Sequence, residues 1–195
     1  GLIRLAGWNQ LVPLVDPLCG SGTFLIEAAS IALGLPPGIG RTFLLEGWAD
    51  FDSKLWNKQK EEANQTINYD KALPKIIGCE FDEKIAAQAK ANVLAARLEN
   101  FIQIQTSSFS ELDLPRQKGF IICNPPYGKR LGDEKSLENL YADLGSFLKE
   151  NASGWQLWLL SGNSKLSRAL KMKARRKIPV SNGGIDCRWL QYLIH

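Results

Sequence analysis

With 195 residues, 45% of them apolar, the chain is long enough to bury a full core in one domain, and its composition is neither disordered nor fibrous. Its apolar runs are too short to cross a bilayer and Gly1-Leu2-Ile3-Arg4 has no signal-peptide organisation, so a soluble, cytoplasmic protein is expected. The net charge of +4 is too modest to identify a partner. Its distribution says more, because Lys165, Arg168, Lys171, Lys173, Arg175, Arg176 and Lys177 follow one another with no acid between them. Such a run is either a solvated face or a track for a phosphate backbone. The cysteines (Cys19, Cys79, Cys123, Cys187) are scattered, with no C-x-x-C pair and a lone histidine, His195, at the terminus. This pattern argues against zinc and for reduced thiols, so no metal is expected.

Leu11 to Val15 reads as a short strand that runs into Asp16-Pro17-Leu18-Cys19-Gly20-Ser21-Gly22-Thr23. Phe24, Leu25, Ala28, Ala29, Ile31, Ala32 and Leu33 then repeat at helical spacing until Gly34-Leu35-Pro36-Pro37 stops them. In a strand, glycine turn and helix of this kind, the glycines let backbone approach a ligand. Ser21 or Thr23 is expected to cap the helix, whose free N–H groups face the cleft. The spacing excludes a G-x-x-x-x-G-K-[ST] phosphate loop, and a G-x-G-x-x-G begun at Gly20 would need a third glycine where Leu25 stands. Asp16 at the strand tip would repel a pyrophosphate, yet it suits a ligand carrying an ammonium or sulfonium. The plain alternative is a turn that only packs helix on strand.

Residues 35 to 74 are irregular, with Gly38, Gly40, Trp48 and Trp56 ahead of a polar helix expected from about Lys54 to Tyr69. The stretch looks like an insertion without assignable chemistry, its tryptophans reading as packing anchors in preference to base platforms. Lys75 to Cys79 reads as a second strand ending in Glu80-Phe81-Asp82. An acid in the position of Glu80 can accept both ribose hydroxyls of a nucleoside cofactor, while Asp82 caps a helix striped by Ile85, Ala86, Ala89, Val93, Leu94 and Leu98. Phe101 to Gln105 is a third strand, followed by Thr106-Ser107-Ser108-Phe109. Phe109 either lies against a purine ring or faces the core.

The apolar run Phe120-Ile121-Ile122-Cys123 is a fourth strand, closed by Asn124-Pro125-Pro126-Tyr127. Two prolines cannot extend a sheet ladder, and their fixed φ holds the Asn124 carboxamide and nearby carbonyls in one geometry at the open end of the sheet. With the Tyr127 ring beside them they form a socket for a planar, amine-bearing group such as a nucleobase. Taken alone, the tetrapeptide is equally a proline-rich turn. Lys129 and Arg130 come next, where a phosphate would arrive. A helix from about Ser136 to Glu150, a strand from Gln156 to Ser161 and a short helix from Lys165 to Leu170 follow. Ile178-Pro179-Val180 reads as an edge strand, Ser181 to Gly184 as a hairpin turn and Ile185 to Ile194 as a final strand. The expected fold is α/β and Rossmann-like: seven strands, mostly parallel, with helices on both faces and the last strand antiparallel.

D-P-L-C-G-S-G-T plus N-P-P-Y, with an acid on the second strand, resembles the class I S-adenosylmethionine-dependent methyltransferases that modify exocyclic amines. Gly7-Trp8, Glu46-Gly47-Trp48, Asn124 through Leu131, Leu140 through Gly145, Ser161-Gly162-Asn163 and Asn182 through Arg188 are similar to the RlmL-type branch. That branch couples a catalytic domain to an RNA-binding THUMP domain and methylates the 2-amino group of a guanine in large-subunit ribosomal RNA. The resemblance covers nearly the whole chain, residues 1–195 being read as the catalytic domain. It implies a fragment of a larger protein, since the chain starts just before Gly7-Trp8.

The resemblance implies that Asp16, Leu18, Cys19, Gly20, Ser21, Gly22 and Thr23 wrap the methionine part of S-adenosylmethionine. Glu80 would take its ribose, Phe81, Ser108 and Phe109 would lie by its adenine, and Asn124 would stand between cofactor and base. Asn124, Pro125, Pro126 and Tyr127 would hold the target, and Lys129, Arg130, Lys173, Arg175 and Arg176 the RNA. The family usually carries an acid where this chain has Ser108, which weakens the adenine contacts. In chemical terms, the Asn124 carboxamide and the Pro125 carbonyl can accept the two N–H groups of an amine and stabilise the charge that develops on its nitrogen. The 6-amino group of adenine, in DNA or RNA, fits N-P-P-Y as well, and only the wider resemblance favours guanine. A domain that binds without turnover and a nicotinamide-dependent oxidoreductase are the remaining readings; the intact motifs oppose the first and the glycine spacing the second.

Overall fold

A computed structural model of the chain describes residues 1–127 and 134–195. Seven strands form one sheet in the order β3-β2-β1-β4-β5-β7-β6. They are β1 (Leu14–Asp16), β2 (Ile76–Glu80), β3 (Ile102–Thr106), β4 (Phe120–Cys123), β5 (Gln156–Ser161), β6 (Arg176–Asn182) and β7 (Ile185–Leu193). β1 to β5 are mutually parallel, and β7 runs antiparallel to both β5 and β6. The expected topology is therefore found. The edge strand extends beyond Ile178–Val180 because the tight turn at Gly183 and Gly184, both with positive φ, lets the two arms pair from Asn182↔Ile185 back to Arg176↔Gln191.

Helices α1 (Leu2–Ala6), α2 (Thr23–Leu33), α3 (Ser53–Asn64), α4 (Glu83–Ala95), α5 (Glu134–Asn151) and α6 (Ser164–Ala169) complete the fold. The central strands are apolar on both faces because both are covered. On one face α2 sets Leu25, Ala28, Ala29 and Ala32 against Leu14, Ile76, Ile122 and Trp158. On the other, α5 sets Tyr141, Leu144 and Leu148 against Val15, Ile77, Ile121 and Leu159. Trp158 of β5 and Trp189 of β7 stack at 5.5 Å between ring centroids and fill the first face towards the hairpin. Among the described residues no helix is long and apolar enough to cross a membrane.

The insertion behaves differently from the core. Asp52 Oδ1 accepts the N–H groups of Lys54 and Leu55, so α3 starts at Ser53, and it stops at Asn64, short of Tyr69. α3 buries no residue. Trp56 is a packing anchor, meeting Phe43 and Phe51 edge-on, whereas Trp48 is 67% exposed and, among the described residues, in no aromatic pair. α1, five residues long, is too short to show a periodicity and was not expected from the sequence.

At Gly145, α5 packs against the residue that ends α6. A Cβ there would collide with the Leu170 carbonyl and come within 2.8 Å of Leu170 Cα. Replacing a helical glycine by alanine ordinarily gains about 1 kcal/mol, whereas overpacking costs about 1–3 kcal/mol; because the clash is with backbone, the second term wins. Gly145→Ala should lower the urea midpoint of unfolding with an unchanged m-value.

Candidate active site

Register staggers three neighbouring strand ends: Asp16, the last residue of β1, pairs with Gly78, two residues before the end of β2, and Val15 pairs with Ile121, two residues before the end of β4. Past Asp16 the chain turns over the end of β2. The Cys19 N–H donates to the Cys79 carbonyl at 2.9 Å and the Gly20 N–H to Glu80 Oε2 at 3.1 Å. Gly20 and Gly22 have φ of 53° and 83°, a region costly for any side chain, and a Cβ on Gly20 would meet open space. The expected cap is not formed. Gly22 itself stands at the N-cap position of α2, while Ser21 Oγ and Thr23 Oγ1 lie 3.2 Å apart and bond each other. The first turn of α2 thus keeps its N–H groups without a side-chain acceptor. Asn92 of α4, which the sequence reading passed over because it lies beside the apolar stripe, donates to the Ser21 carbonyl at 2.9 Å and holds the loop from behind.

Asp16 is 2% exposed. Burial pushes its carboxyl up to about 8; the Leu18 N–H, donating to Oδ1 at 3.1 Å, opposes the rise and the nearby Glu80 carboxylate adds to it. Among the described residues no cation pairs with Asp16. A buried carboxylate without a cation is unfavourable, so the site is built to gain from a positively charged ligand. Burial likewise raises the Cys19, Cys79 and Cys123 thiols, which makes them poor nucleophiles.

Glu80 accepts one N–H at each oxygen, from Gly20 at Oε2 and from Asp82 at Oε1, 3.0 Å away. A carboxylate retains further lone pairs when so engaged, leaving Glu80 oriented and still able to accept hydroxyls. Asp82 caps α4 as expected, accepting from Lys84 and Ile85. Phe81 projects from this tip at 77% exposure. Ser108 caps the short turn Phe109–Glu111, and Phe109 packs edge-on against Phe147 of α5 at 5.7 Å, so its ring meets the core. Leu18 is half-buried against the same face.

On β4 the strand ends at Cys123, and Asn124 is exposed with no hydrogen-bond partner among the described residues. Pro125 is buried and Pro126 half-buried behind it. Tyr127 is a fixed wall and not a free plate. Its hydroxyl accepts from Asn182 Nδ2 at 2.7 Å, with Cys187 Sγ at 3.7 Å, and its ring lies where a Cβ on Gly162 would sit. Its phenol is raised mainly by burial; the Asn182 bond opposes the rise and Cys187 adds to it. Gly162, Asn182 and Cys187 were visible only as parts of motifs, without a role, because nothing local in the sequence tells that β5 and the hairpin converge on Tyr127.

Among the described residues the basic ones do not form one track. Lys129 and Arg130 lie outside the described residues. Lys165 is paired with Glu134 and Glu138, each at 2.8 Å. Arg176 lies 5.7 Å over the Trp158 ring, on the α2 side of the sheet. The Arg175 N–H donates to the Gln191 carbonyl, and Lys173 is exposed between α6 and β6. Arg168 and Lys177 stand instead on the α6 side, around a cavity of about 460 Å³.

Comparison with known proteins bears on this arrangement. The "Ribosomal RNA large subunit methyltransferase K/L" of Shewanella amazonensis is 38% identical over 198 residues, covering 100% of this chain and 28% of its own. SMU.472, solved in complex with SAH, superposes with a TM-score of 0.91 at 31% identity, covering 100% of this chain and 51% of its own. A protein described as a predicted N6-adenine-specific DNA methylase, from Listeria monocytogenes str. 4b F2365, matches with a TM-score of 0.83 at 30% identity, over 100% and 50% of the two chains. This chain therefore spans between about a quarter and a half of these proteins. The family model for the RMKL-like methyltransferase domain matches residues 1–191, and the chain belongs to that family.

Proposed function

We propose that the domain transfers a methyl group from S-adenosylmethionine to the exocyclic 2-amino group of a guanine in large-subunit ribosomal RNA. The observation that carries the reading is a pair of neighbouring strand tips. Among the described residues, the buried Asp16 carboxyl ends β1 without a cation and the exposed Asn124 carboxamide follows β4 without a partner. Together they ask for a cationic ligand and an N–H donor on adjacent sites. The K/L relative supports ribosomal RNA as the substrate and the SAH complex of SMU.472 supports the cofactor.

The residues present fit that cofactor. Asp16 is the acceptor for its ammonium, Gly20 and Gly22 keep the loop free of side chains, and Glu80 is oriented to accept ribose hydroxyls. When bound, S-adenosylmethionine supplies a methyl group activated by a sulfonium. The chain's own part is to hold the amine. The lone pair of an exocyclic amine is delocalised into its ring, and acceptors at Asn124 and Pro125 stabilise the positive charge that appears on nitrogen as that lone pair is engaged. Tyr127, held by Asn182 and Gly162, limits where the base can lie. A second reading, the 6-amino group of adenine, is favoured by the Listeria neighbour and uses the same acceptors.

Nucleoside digestion and mass spectrometry of treated ribosomal RNA should yield a guanine methylated at its 2-amino group; methylated adenine in its place would overturn the choice of base. Asn124→Ala should lower kcat/KM by about 10²–10³ with cofactor still bound. Asn182→Ala removes one hydrogen bond from Tyr127 and should lower kcat/KM about tenfold, without changing cofactor affinity. Asp16, at about 8 in the free protein, is mostly protonated at pH 7, and a cation beside it favours the carboxylate. Cofactor binding at pH 7 should release up to about one proton, read as a dependence of calorimetric enthalpy on buffer ionisation enthalpy. That dependence should vanish in Asp16→Asn.

A further inference from the structure

The cavity of about 460 Å³ beside α6 is not formed by the glycine loop or by Asn124. Its volume falls in the range of small-molecule sites, about 300–1,000 Å³. α6 contributes Arg168, and the hairpin contributes the opposite wall. Side chains alternate along a strand and registered partners share a face. Asp186 and Arg188 of β7 thus face the same way as Lys177 of β6, which pairs with Leu190, and all three line the cavity. Arg176 and Asn182 face the other way, towards Trp158 and Tyr127.

Three cations and one carboxylate around this cavity are not a neutralised set. Among the described residues Arg168, Lys177 and Arg188 pair with no carboxylate, in contrast to Lys165. Arg188 spends one N–H of its guanidinium on the Cys187 carbonyl, at 2.9 Å, and keeps the others. Gly162 connects this place to the proposed chemistry. It lines the cavity, and the Tyr127 ring fills the space where its side chain would be, so the two sites share one wall.

We infer that this cavity seats the nucleotide adjacent to the target base in the RNA strand, with Arg168, Lys177 and Arg188 on its phosphate and Asp186 on its ribose 2′-hydroxyl. The inference rests on the reading of the domain as an RNA methyltransferase and deepens it. The cavity is too large for phosphate alone. A carboxylate among cations would weaken the hold on a bare anion, yet it is an acceptor for the hydroxyl that separates RNA from DNA.

The test uses the whole chain, S-adenosylmethionine and unmodified large-subunit ribosomal RNA, with an RNA and a DNA single strand of one sequence as binding probes. Replacing Arg168, Lys177 and Arg188 together by glutamine should raise KM for the RNA by about tenfold or more and leave cofactor affinity unchanged. The slope of log K against log salt for the RNA strand should fall by about 0.7 for each phosphate that the variant no longer neutralises. Lys54→Gln, which removes a charge from α3, an element that does not line the cavity, should leave that slope unaltered. Asp186→Asn should narrow the preference for the RNA strand over the DNA strand. All these side chains are exposed, and Lys177→Gln alone decides the slope if the triple variant does not fold. An unchanged KM and slope in variants of an active enzyme would overturn the assignment. So would inorganic phosphate or a free mononucleotide binding as tightly as the strand. If the wild-type chain binds cofactor but methylates no guanine, the reading of the target base fails; the salt slope then still decides for or against the cavity.

Discussion

The amide of Cys19 donates to the carbonyl of Cys79 across the ends of two parallel strands, and the site is arranged around that bond. It is possible because β1 ends at Asp16, opposite Gly78, while β2 continues to Glu80, so that the chain leaving β1 can turn over the end of β2. Gly78 has no side chain because Leu25 of α2, Cys19 and Ile104 already crowd the position where its Cβ would lie. The helix can therefore sit close to the sheet and feed the turn at the height of Glu80. A shift of one residue along β1 would turn Asp16 to the opposite face and detach the loop from its acceptors.

Hydrogen bonds of about 1 kcal/mol each do not offset the ordering of a six-residue turn, at about 1–2 kcal/mol per residue. Pro17, with its φ already fixed, and the burial of Cys19 between α2 and β2 supply part of the difference. The polar groups left over at this end are the N–H groups of the first turn of α2, the remaining lone pairs of Glu80, and a buried Asp16 carboxyl whose pKa burial raises to about 8. Each is better satisfied with a ligand than without one. The same tips that close the fold thus leave it short of polar partners at one edge.

Much of this was legible in the chain itself, for physical reasons that differ by element. β2, β4 and β5 appear as apolar runs because they are covered on both faces, and Asp82 announces α4 because a cap is a local interaction. The cap of α2 was misjudged for a related reason. Two hydroxyls flanking Gly22 satisfied each other, which no count of capping residues can foresee. α1 was too short to show a period, and Trp48 resembled Trp56 in sequence although, among the described residues, Trp56 and not Trp48 meets aromatic rings. The basic run was the deepest ambiguity. Whether successive cations share a surface depends on strand alternation and on distant acids, and Arg176 and Lys177, adjacent in sequence, came to lie on opposite sides of the sheet.

The β6–β7 hairpin has two faces with separate contacts. One carries Asn182 to the hydroxyl of Tyr127; the other lines the cavity with Lys177, Asp186 and Arg188. Among the described residues, none of the hairpin touches the glycine loop through a hydrogen bond or ion pair, and it joins the sheet only through β5. On the proposed reading, the hairpin helps to place the acceptor strand without touching the loop that takes the donor. If the proposed cavity does seat the acceptor strand, a ribbon of this kind can drift in sequence, or be exchanged between relatives, and redirect the domain to a different nucleic acid while the glycine loop stays as it is.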